Sequence, residues 1–113
     1  MLFTGLTMTF LKEFGLGLWI TAPVLLTLAA VITILGQLVG RKERWPPFDS
    51  FYWSFVTATT VGYGDFRPVG KGSRIIAILI AFLGLTLTGI LIAIAVHAGS
   101  AALQAHNAPA SVK

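Results

Sequence analysis

Between two long apolar runs lies the stretch TATTVGYGDF, Thr57 to Phe66. The peptide carbonyls of Thr60, Val61, Gly62 and Tyr63, with the Thr60 hydroxyl, would form a row of oxygens if they faced one side. Gly62 and Gly64 permit the dihedrals this needs, because glycine meets no Cβ clash at positive φ. Val61 and Tyr63 would then point away and pack against the segment that precedes them. One such strand cannot enclose an ion. Four around a symmetry axis make successive oxygen rings that can replace a cation's water shell. Other uses of these glycines fit poorly. Arg67 stands where a dinucleotide loop needs its third glycine. The phosphate-loop pattern fails as well, both in the interval from Gly64 to Gly70 and in having Gly72 after Lys71.

The elements that must hold this stretch follow from hydropathy. Of 113 residues, 56% are hydrophobic and 11% charged, with mean hydropathy +0.85. Soluble domains carry about 25% charged residues, so the main solvent here is lipid. The absence of cysteine excludes disulfide and thiolate chemistry. The net charge of +4 comes from residues that flank apolar runs and form no long cluster, which argues against nucleic acid. No run has the shape of a cleavable signal peptide.

Phe14 to Val39 carries no charge, and it exceeds the roughly 20 helical residues that cross the hydrocarbon. Pro23 should bend this helix or mark a late beginning. Gly36 and Gly40 form a GxxxG pattern, either a helix-contact face or two small residues near a helix end. Ile75 to Val112 again lacks Asp, Glu, Lys and Arg. Its dense part, Ile75 to Ala98, is a second span, and the polar tail continues the helix before fraying near Pro109. The segment Met1 to Glu13 forms a short interfacial helix or a loose terminus.

The stretch from Gly40 to Arg74 is too long for a bare loop. Pro46 and Pro47 stop what precedes them, and Asp49 or Ser50 can cap a new helix. Phe51, Tyr52, Trp53, Phe55 and Val56 make that helix apolar, yet it is too short to span. A re-entrant, half-membrane helix fits, since non-helical backbone at membrane depth is tolerated where it lines a water-filled path. The expected organisation is one all-α membrane domain over 1–113. Its parts are an interfacial segment (1–13), an outer helix (14–40), a pore helix with its loop (48–66) and an inner helix (72–105).

At TATTVGYGD the sequence resembles the potassium-channel signature. Two spans around a pore loop resemble the small two-transmembrane prokaryotic potassium channels, over about Ile20 to Ser100. The resemblance implies a homotetramer in the plasma membrane with cytoplasmic termini, in contact with lipids, passing K+ passively without an enzymatic step or a cofactor. It implies that Thr60, Val61, Gly62, Tyr63 and Gly64 form a selectivity filter, with K+ held at Thr60, Val61, Gly62 and Tyr63. It makes Trp53, Thr57 and Asp65 the filter's support, the Asp bonding the Trp indole. Some relatives carry a Glu at Val56, which here cannot pair with Asp65, so little inactivation by that route is expected. Gly84, by its distance along the chain from Tyr63, matches the glycine at which inner helices bend. Gly89 is a second hinge candidate, and Ile92 and Val96 are candidates for an apolar gate. The rival readings are a weakly selective cation channel and a non-conducting regulatory subunit.

Charge cuts against the implied topology. Residues 41–74 hold Arg41, Lys42, Arg44, Arg67, Lys71 and Arg74 against Glu43, Asp49 and Asp65, a net +3. The positive-inside rule would put this loop in the cytoplasm. The specific motif outweighs a handful of charges, so the loop is expected outside. His97 and His106 suit a pH-sensing or an interfacial role, and their spacing does not suit a metal. No arginine-bearing helix precedes Phe14, and no regulatory domain is visible within these residues.

Overall fold

A chain that meets lipid must satisfy its backbone internally, and a helix does so within one segment. The computed structural model describes residues 2–107. Helix α1 runs Leu2–Glu43, α2 Pro47–Ala58 and α3 Lys71–Asn107. No strand occurs among the described residues. At 1.5 Å per residue, α1 is about 63 Å long, α3 about 56 Å and α2 about 18 Å. A hydrocarbon core is about 30 Å thick, so α1 and α3 can cross it and α2 cannot.

Two details differ from expectation. The segment expected at the interface is not a separate element, because α1 passes unbroken through Lys12, Glu13 and Pro23. One proline removes one N–H from a helix of 42 residues, a local loss that the flanking turns can absorb. Neither Asp49 nor Ser50 caps α2. Pro46 is the N-cap and Pro47 the first helical residue, where a missing N–H costs nothing. Asp49 lies in the first turn, at the positive end of the helix dipole, and the Ser50 hydroxyl donates to the Pro46 carbonyl at 3.0 Å. The expected fraying near Pro109 lies outside the described residues.

The chain divides into two units, Val24–Gly89 and Met1–Pro23 with Ile90–Lys113. In the first, Ile32, Val39, Trp53, Ala58 and Ile80 form the buried core. Here α1 meets α2 through small residues. A Cβ on Gly36 would overlap Ser54, and one on Gly40 would overlap Ser50. The GxxxG pattern is thus a contact face, matched by serines one helical turn apart on α2. Gln37 adds a bond from Nε2 to the Pro47 carbonyl at 3.0 Å. In the second unit, Ile94, Ala98 and Ala102 form a buried stripe along one side of α3, and Gly17 gives room to Ile94. Thr21, Thr33 and Thr86 satisfy their hydroxyls on carbonyls one turn back, at 2.7, 2.8 and 3.0 Å.

Candidate functional site

Helix α2 ends where the following residues capture its last carbonyls. Thr60 N–H donates to Thr57 O at 3.1 Å and Val61 N–H to Val56 O at 3.0 Å. This pair of bonds is the Schellman motif, whose left-handed position usually holds glycine. Here it holds Thr60, at φ 66. A β-branched residue is seldom found in that region. Gly62 and Gly64 also have positive φ, 54 and 82, while Val61 and Tyr63 do not. The sign therefore alternates along the loop.

That alternation orients the peptides. Gly62 N–H donates to the same Val56 carbonyl, at 3.2 Å, so two consecutive N–H groups point to the end of α2. In a trans peptide the C=O points opposite to the N–H, and no cis bond occurs among the described residues. The carbonyls of Thr60 and Val61 therefore point together, away from α2. An added Cβ at Gly62 or Gly64 would meet nothing within 4 Å. These glycines are needed for their dihedrals and not for space.

Val61 and Tyr63 do not pack on α2 as expected. They are 51% and 70% exposed, because the loop turns its N–H groups toward the helix end. Within a single chain these side chains are open to other partners.

The structure redistributes the expected support. Trp53 is 5% exposed and lies edge-on to Trp45 at 5.3 Å. Its indole makes no bond to Asp65. The Asp65 carboxylate instead accepts the Phe66 N–H at 3.1 Å, and it lies near the Tyr52 hydroxyl. Thr57 is half-buried and contributes its carbonyl to the turn. Val56 acts through its carbonyl too, a role that does not depend on its side chain.

Residues to which the sequence alone assigns no site role complete the site. Trp45 also packs on Phe66 at 5.3 Å, and Phe66 meets Tyr52 at 6.4 Å. Glu43, at the end of α1, accepts N–H bonds from Val69 at 2.8 Å and Gly70 at 3.3 Å. It thereby satisfies backbone groups ahead of α3. The aromatic density of the loop was a signal for the first set. Nothing in the sequence distinguishes Glu43 from the charges beside it. Gly64, Asp65, Arg67 and Arg74 line an open polar cavity of about 520 Å³. Among the described residues no group of three or more His, Cys, Asp or Glu side chains is placed to hold a metal.

Gly84 and Gly89, both in α3, differ. A Cβ on Gly84 would overlap the Ala58 backbone, whereas Gly89 has nothing within 4 Å. Ile92 and Val96 are 57% and 62% exposed, and His97 is exposed.

A family model described as "Ion channel" matches residues 20–100. TWiK family of potassium channels protein 7 from Caenorhabditis elegans is 45% identical over 69 residues, covering 58% of this chain and 12% of that protein. Potassium voltage-gated channel subfamily A member 5 from Homo sapiens is 53% identical over 36 residues, covering 32% of this chain and 6% of that protein. The chain thus spans 12% or less of the length of these curated relatives. No solved structure matches it.

Proposed function

The chain belongs to the ion channel family, and from that premise we propose that four copies form a potassium-selective pore. The observation that carries the proposal is the loop Thr60–Gly64. Its alternating φ signs and its shared Val56 acceptor aim the Thr60 and Val61 carbonyls to one side. Four such loops about an axis would stack rings of oxygens for K+ at Thr60, Val61, Gly62 and Tyr63. The names of the relatives support potassium as the ion.

The exposed apolar residues support assembly. Ile78, Phe82, Leu85, Ile92 and Val96 on α3 recur at helical spacing, and all are exposed in the single chain. Such a stripe suits a helix that faces its copies. In this reading Ile92 and Val96 form the inner constriction, and the inner helix bends near the glycines. The protein lies in the plasma membrane with its loop outside and its termini in the cytoplasm. It works as a passive conduit, with K+ as permeant ion and with no cofactor.

The test is reconstitution of the purified protein in liposomes. Potassium flux should appear and be blocked by barium, and reversal potentials in mixed potassium and sodium should follow potassium. Equal permeation of both ions would indicate a weakly selective cation channel. No flux at all would indicate a non-conducting subunit.

A further inference from the structure

The loop Thr60–Gly64 is tied to α2 through its backbone at one end and leaves its side chains open. At the α2 end, Val61 and Gly62 bond to Val56. Between the ends, Val61 and Tyr63 are exposed, and the glycines have open space around them. At the exit end, the first large apolar side chain is Phe66, which is half-buried.

Phe66 meets two rings from different elements. Tyr52 comes from α2, at 6.4 Å and 73°. Trp45 comes from beyond the end of α1, at 5.3 Å and 68°. Both are edge-on arrangements, which aromatic quadrupoles favour. Trp45 is itself seated. Its N–H donates to Gly40 O at 2.8 Å, following Arg44 in the left-handed region at φ 61. Trp45 also meets buried Trp53 at 5.3 Å and 61°. One ring therefore bridges the core of the unit and the residue just past the loop.

We infer that Trp45 is a positioning residue for the ion sites, setting the height of the loop's exit end through Phe66. This rests on the channel reading of the same loop. Without the ring, Phe66 loses one wall and the Tyr63–Asp65 backbone gains freedom. The carbonyls at that end would then adapt to a smaller ion, and discrimination between potassium and sodium would fall. The role lies in geometry, since Trp45 presents no oxygen to the ion.

The experiment compares wild-type protein with W45A, W45F and F66L in liposomes, reading reversal potentials in mixed potassium and sodium. I94A, in the other unit, serves as a control for lost packing. W45A should lower the potassium-to-sodium permeability ratio about tenfold, the loss of two edge-on contacts. F66L should lower it less, and W45F should restore much of it. I94A should reduce thermal stability and leave the ratio unchanged. If W45A does not assemble, W45F and F66L carry the comparison. Wild-type selectivity in W45A, or in F66L where W45A does not assemble, overturns the inference and leaves the channel reading intact. An equal loss in I94A also overturns it, by showing a general packing effect. A wild-type protein that passes no potassium overturns the channel reading, and the inference with it.

Discussion

Thr60 occupies a backbone position that glycine would fill more easily. The left-handed region costs an ordinary L-residue about 1–2 kcal/mol, and Thr60 sits there at φ 66. Glycine would keep the turn and lose the hydroxyl. A strained residue held at a site of this kind points to use of its side chain or its dihedral. T60G should therefore leave the fold intact, with stability changed by no more than about 1 kcal/mol, because the relief offsets glycine's greater freedom when unfolded. The same variant should lose selectivity if the hydroxyl completes the innermost ion site. Thermal unfolding in detergent and reversal potentials separate the two effects. A variant that unfolds readily would show that the hydroxyl serves the fold.

At the scale of elements, Gly84 and Gly89 have different work. Gly84 lets α3 touch the Ala58 backbone, and Gly89 stands in open space. G84A should force the helices apart and destabilise by about 1–3 kcal/mol, the usual effect of overpacking. G89A should stabilise α3 by up to about 1 kcal/mol and, if the helix bends there, reduce open probability. Unfolding curves and single-channel recordings read both. The family resemblance singled out Gly84, with Gly89 after it, as hinge candidates without distinguishing them, since contact with a backbone from another element leaves no trace in α3 itself. The same limit hid the partner of Gly36 and Gly40. Hydropathy made the two spans and the short helix legible, because charge-free length is a direct physical requirement of lipid. It misjudged the start of α1, where Lys12 and Glu13 interrupt the apolar pattern but not the helix. Asp65's neighbour, Tyr52, was out of reach because it depends on how the loop folds back on α2.

Across the whole molecule, the charge of the loop is the tension that remains. Residues 41–74 carry a net +3, and Arg67 lines the polar cavity beside Gly64 and Asp65. Around a fourfold pore these charges would oppose cation entry unless the side chains reach away toward headgroups. R67Q should raise unitary conductance at low salt. The difference should vanish near 1 M salt, where the screening length is about 3 Å. Conductance that does not respond at low salt would place the Arg67 charge away from the ion path.

The seam of Gly36 and Gly40 against Ser50 and Ser54 also bears on the order of biosynthesis. Its partners are near neighbours in the chain, Gly40 meeting Ser50 and Gly36 meeting Ser54, and neither side needs a residue from α3. α1 and α2 can therefore dock as a hairpin without α3. Contacts so close in sequence also form quickly. α3 joins this pair where Gly84 meets the Ala58 backbone.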